Sequence, residues 1–127
     1  MEVKIPDFFK PGEGFNGFIH KESATSIVFH QIDGYSYKLY HAGYISKSKD
    51  QESAGVKLTS IDTIQYKGLK GFLYEFSFTP QGATVEFSRK LFITGDMHTT
   101  LLVMINYPQP LEEEMNYYFL KIVSTLK

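Results

Sequence analysis

The chain is 127 residues long, 43% hydrophobic and 16% aromatic, with 13 basic residues against 14 acidic ones and a net charge of −1. That length fits one domain able to bury a core without covalent staples, and the balanced charge argues against nucleic-acid binding, which draws on a basic excess. The absence of cysteine excludes disulfides, thiolate metal sites and cysteine nucleophiles, and no apolar run reaches the roughly 18 residues that a membrane-spanning helix needs.

Met1 to Pro11 lacks the basic-then-apolar design of an export signal. As it stands the sequence reads as cytoplasmic, and an exported chain trimmed of its signal would look the same. Met1 to Gly14 opens with a short alternation, Val3 and Ile5 around Lys4, that Pro6 and then Pro11-Gly12 interrupt, which predicts an extended arm and a turn. Phe15–Glu22 and Ser26–Ile32 are β-rich segments separated by Ser23-Ala24-Thr25, the pattern of a short-loop hairpin.

After Asp33-Gly34 the period changes. Tyr37, Tyr40, His41, Tyr44 and Ser48 recur at steps of three and four, which predicts a helix capped by Asp33. Gly43 weakens that helix by about 1 kcal/mol relative to alanine, and the polar run from Ser46 to Ser53 ends it before Gly55.

Four β segments follow: Val56–Tyr66, Leu69–Thr79, Thr84–Thr94 and Thr99–Tyr107, separated by Lys67-Gly68, Pro80-Gln81-Gly82 and Gly95-Asp96. Phe72, Tyr74, Phe76 and Phe78 alternate strictly, as do Val85, Phe87, Leu91 and Ile93 with polar partners. Connections this short favour antiparallel neighbours, and the run Leu101 to Ile105 predicts a strand covered on both faces. The last element is a helix with Pro110 in its first turn, Glu112, Glu113 and Glu114 at its positive dipole end, and an apolar stripe of Leu111, Met115, Tyr118, Phe119, Ile122 and Leu126. The three glutamates read as a solvated first turn rather than a metal site. The expected fold is therefore one α+β domain over residues 1–127, an antiparallel sheet of about six strands with two helices, in the order β-β-α-β-β-β-β-α, with room for one extra short strand at the start.

This order and its endings resemble the PsbP-like family, whose fold is shared with the Ran-binding Mog proteins. The resemblance rests on the strand ending Ile105-Asn106-Tyr107-Pro108, the acidic residues after it, and the helix closing Ile122-Val123-Ser124-Thr125-Leu126. The stretch Tyr66-Lys67-Gly68-Leu69-Lys70-Gly71-Phe72 looks like the family's glycine turn between paired strands, and Gly17-Phe18-Ile19 followed by Ser26-Ile27-Val28 is compatible with its first strands. The resemblance implies a fold and, loosely, an accessory role. The family includes photosystem subunits, a Ran partner and bacterial proteins without an assigned activity, so no catalytic residue carries over.

The candidate binding face is Tyr37, Tyr40, His41 and Tyr44. An aromatic stripe at helical spacing packs on a sheet, and where part of it borders a groove each tyrosine offers a flat apolar ring and a hydroxyl. If the hairpin loop centres on Ala24, His20, Glu22 and His30 share one face, within reach of a common ion; a one-residue shift separates the two histidines. Asp96 is expected to bond its own turn beside His98. Glu75 and Glu86 could pair across the 80–82 turn, but like charges directly opposite destabilise a sheet, so they are expected offset or solvated. The chain carries no nucleophile elbow, phosphate loop or dinucleotide fingerprint, and Gly12-Glu13-Gly14 precedes a strand rather than a helix. The leading reading is a non-catalytic accessory or binding module without cofactor or metal, recognising a protein or a small ligand. The alternatives are a small enzyme using His20 or His41 in a helix–sheet cleft and a structural subunit of a larger assembly.

Overall fold

The structure, a computed structural model, describes residues 5–12, 17–50, 55–66 and 69–125, with residues 46, 48–50 and 66 described by their backbone alone. The arm at 1–4, the expected strand start at Phe15, Gly12-Glu13-Gly14 beyond its first residue, the Lys67-Gly68 turn and Leu126 lie outside the described residues.

The described residues form seven strands and two α-helices: β1 (Lys10–Pro11), β2 (Gly17–His20), β3 (Thr25–Asp33), α1 (Tyr37–Asp50), β4 (Lys57–Tyr66), β5 (Leu69–Phe78), β6 (Phe87–Gly95), β7 (Thr99–Pro108) and α2 (Glu112–Ser124). The strands form a single antiparallel sheet in the order β1-β2-β3-β7-β6-β5-β4. The α+β class and the element order match the sequence reading. The extra strand exists, but at Lys10–Pro11, where a turn was expected; Pro11 fits because this two-residue strand is an edge, where a missing N–H costs no ladder bond. β6 starts at Phe87 rather than Thr84, leaving Val85 exposed.

Side-chain alternation sorts the sheet into two apolar faces. On one, Ile27, Phe29, Phe92, Val103, Ile105 and Tyr107 meet Met115, Phe119, Ile122 and Val123 of α2, and Ile5, Phe8 and Phe9 close the end of this layer. On the other, Tyr74, Phe76, Leu91 and Ile93 meet Tyr37, Tyr40, Tyr44 and Ile45 of α1. β7 serves both layers: Val103 and Ile105 point to α2, while Leu102 and Met104 pack in the α1 layer. This explains its nearly continuous apolar run. Each fully buried side chain of this size contributes on the order of 2 kcal/mol.

The start of α1 differs from expectation. Ser36, not Asp33, is the cap: Lys38 N donates to Ser36 Oγ at 3.3 Å and Tyr40 N to Ser36 O at 3.0 Å. Asp33 ends β3, with Oδ1 accepting from Gln31 Nε2 at 2.9 Å. The loop before α1 is tied to the β6–β7 turn, where His98 O accepts from Gly34 N and Tyr35 N, and Asp96 O from Tyr37 N. Among the described residues no helix is long and apolar enough to cross a membrane.

Candidate functional site

The four residues of the predicted aromatic face all lie on α1, and they divide into two pairs. Tyr37 and His41 point into the sheet. His41 stacks on Phe72 with ring centroids 3.6 Å apart and 3° between planes, and Tyr37 leans on the same ring at 6.0 Å. The hydroxyl of Tyr74, whose side chain is fully buried on β5, lies 2.7 Å from His41 Nδ1. Burial lowers the pKa of His41. Burial, with Tyr44 second, pushes Tyr74 up to about 12.

Tyr40 and Tyr44 form the second pair, stacked at 6.1 Å, and this pair too packs against the sheet, with Tyr44 edge-on to the buried Tyr74 ring at 5.0 Å. Burial, then the neighbouring Tyr44, raises the Tyr40 hydroxyl pKa. The two rings line a groove of about 380 Å³ together with Ile32, Tyr35, Gly43 and Lys47. Gly43 opens it, since a Cβ there would meet no atom within 4 Å. Beside it on α1, Leu39 is 65% exposed, and Tyr35 is 45% exposed with its ring 6.3 Å from that of Tyr40. The large apolar side chains in and beside the groove are thus Tyr35, Leu39, Tyr40 and Tyr44. Tyr35 and Leu39 fall outside the helical stripe, and the alternation of exposed apolar positions before and within α1 is the signal that could have found them.

The histidines follow a different plan from the one the hairpin suggested. Residues 21–23 form a 3-10 turn and Ala24 takes a left-handed conformation (φ 55°), so the register pairs His20 with Thr25 rather than Val28. His20 therefore shares a face with Thr25 and Ile27, and His30 lies on the opposite face; the shared-ion geometry does not form. Among the described residues no group of three or more His, Cys, Asp or Glu side chains is placed to hold a metal ion. Asp96 bonds its own turn as expected, with Oδ1 accepting from His98 N at 2.7 Å and Thr99 N at 2.8 Å.

A polar cluster unforeseen in the sequence sits where α2 meets the sheet. Lys90, 5% exposed, reaches Glu75 Oε1 at 2.9 Å, Glu112 Oε1 at 3.4 Å and Asn116 Oδ1 at 2.7 Å. Ser60 Oγ donates to Glu75 Oε2 at 2.8 Å, and the buried Tyr107 hydroxyl donates to Glu112 Oε2. Burial pushes the Glu75 carboxyl up, but hydrogen bonds from Lys90 and Ser60 and the Lys90 charge outweigh it and hold the group below its ordinary range. Glu75 and Glu86 do not face each other, since the β5–β6 ladder ends at Phe78–Phe87. Glu112, Glu113 and Glu114 are all exposed as expected, and the Glu112 carboxylate in addition spans Lys90 and Tyr107. The carboxylates answer the buried ammonium, and the cluster reads as a pin for α2.

No family model matches the chain, and no curated protein matches it in sequence. Solved structures do resemble it. PA94, a protein of unknown function from Pseudomonas aeruginosa, is similar at a TM-score of 0.59 and 15% identity over 100% of this chain and 84% of its own. LpqN, involved in cell envelope biogenesis of Mycobacterium tuberculosis, reaches 0.58 at 11% identity over 95% of this chain and 78% of its own. The cyanobacterial PsbP of Synechocystis sp. PCC 6803 reaches 0.55 at 8% identity over 94% of this chain and 81% of its own. At these identities the likeness shows the fold, an α+β domain of PsbP-like architecture, and leaves the activity to the residues.

Proposed function

We propose that the protein is a non-catalytic binding module that engages its partner through the outer aromatic face of α1. One observation carries this reading: the groove lined by the stacked Tyr40 and Tyr44 opens beside the exposed Leu39 and Tyr35. Amphipathic rings around an open apolar groove, with Lys47 at its wall, make the composition favoured at recognition surfaces. Against the enzyme alternative, His41 is stacked face to face on Phe72 with its Nδ1 tied to the buried Tyr74 hydroxyl, so its imidazole serves the packing of α1 on the sheet.

The test is recovery of partners by the purified protein from its host's lysate, followed by direct titration of each purified partner with Leu39→Ala and Tyr40→Ala. Loss of at least about tenfold in affinity, equivalent to about 1.4 kcal/mol, is expected from these truncations. Unchanged binding of every identified partner sinks the assignment of this face.

A further inference from the structure

A second cleft lies at the other end of the sheet, between the N-terminal segment and the β1–β2 edge. It measures about 520 Å³, with Phe8, Pro11 and Ile19 forming an apolar lining and Lys10, His20 and Lys21 the polar one. Cavities of a few hundred Å³ with an apolar floor and a few convergent polar groups are the usual dimensions of small-ligand sites. Glu22 is the one carboxylate among the described lining residues, and its side chain is 93% exposed.

The polar end of the cleft is oriented by a chain of hydrogen bonds. The hydroxyl of Thr25, a fully buried residue, lies 3.5 Å from Ser23 O, to which it donates; Ser23 Oγ donates to Thr25 Oγ1 at 2.9 Å. His20 Nδ1 lies 2.7 Å from Ser23 Oγ, which is also 3.3 Å from His20 O, so the ring is anchored to the turn. Nε2 lies 3.8 Å from Glu22 Oε2. The ring is held edge-on by Phe8 at 5.1 Å and Phe9 at 6.2 Å.

We infer that this cleft binds a small organic anion with a flat apolar body, the body resting on Phe8 and Pro11 beside the His20 ring and the acidic group meeting Lys10 and Lys21. The site is separate from the α1 groove and does not depend on the reading of that groove.

The experiment titrates the intact protein with anilinonaphthalene sulfonate, an aromatic sulfonate, following its fluorescence and mapping backbone amide shifts. Naphthylmethylamine serves as the cationic control, and phenyl phosphate and benzoate as competitors that separate phosphate from carboxylate preference. Saturable one-to-one binding is expected, with shifts centred on Phe8 and residues 19–22. Lys10→Glu/Lys21→Glu should weaken it at least about tenfold, as reversal of two exposed charges allows, while its melting temperature stays near wild type because both residues are exposed. Shifts centred on Tyr35, Tyr40 and Tyr44, unaltered binding by a folded lysine variant, or equal affinity for the amine would each overturn the inference.

Discussion

Replacing Lys90 by methionine removes the ammonium and keeps an unbranched side chain of similar length. Three oxygens then lose their donor: Glu75 Oε1 at 2.9 Å, Glu112 Oε1 at 3.4 Å and Asn116 Oδ1 at 2.7 Å. Breaking a fully buried ion pair costs about 3–5 kcal/mol. Here the Glu75 and Glu112 side chains are 32% and 49% exposed, so water takes up part of the orphaned charge. The expected loss is about 2 kcal/mol, the size of one strong charge-assisted hydrogen bond. With an unfolding entropy of about 2.1 cal/mol/K per residue over 127 residues, that lowers the melting temperature by about 7 °C. Thermal unfolding by circular dichroism and the urea midpoint would both report it. Adding Glu75→Gln should restore about 1 kcal/mol by removing one stranded charge. A Lys90→Met protein that melts at or above wild type would refute the reasoning, since the cost of burying the ammonium would then exceed all it gains from its three acceptors.

Glu75 titrates below its ordinary range in the folded chain, so its contribution is complete above the unfolded value and is lost as pH falls through the lower folded one. Glu75→Gln should flatten the acid limb of the stability curve as pH falls below the ordinary glutamate range, about 4.3, and parallel urea midpoints for the two proteins would contradict this. Tyr74→Phe removes the hydroxyl on His41 Nδ1 and should cost about 1 kcal/mol; in an absorbance titration it should also delete a tyrosine ionising near about 12. Gly71→Ala places a Cβ 2.4 Å from Ile93 O and 2.7 Å from the Phe92 ring, so a loss of about 3 kcal/mol in urea unfolding is expected. Gly43→Ala should do the opposite, gaining about 1 kcal/mol of helix stability in the same assay because its Cβ enters open space.

The strands β4 to β7 and the helix α2 were legible because their alternation, turn residues and apolar stripe all point to the same structure, as Phe72–Phe78 and Met115–Ile122 illustrate. The hairpin register was not. It depends on the 3-10 turn at Lys21–Ser23 and on left-handed Ala24, a conformation for which alanine gives no signal, and one residue of slippage decides which face His20 occupies. The α1 stripe was readable as a packed face, but that Tyr37 and His41 settle on Phe72 while Tyr40 and Tyr44 also line a groove follows from where Phe72 and Tyr74 lie across the layer. Lys90 escaped notice because its partners Glu75, Glu112 and Asn116 come from β5 and α2, and only the folded chain brings them to one point.

The strand order carries a consequence for how the chain reaches this state. β3 and β7 are side by side, and Ser26 pairs with Asn106, 80 positions further on. The strands β4 to β7 form a local meander, each pairing with the next. The β1–β3 segment has no such freedom, because its only route into the sheet is the outer side of β7. On the ribosome the β1–β3 segment therefore waits, with Ile27 and Phe29 uncovered, until Thr99–Pro108 has been made, and contacts of such long range are slow to form. A chain stopped short of β7 would present these residues and one open edge of β3 to its neighbours, so the making of β7 is itself the step that lets the hydrophobic layer close.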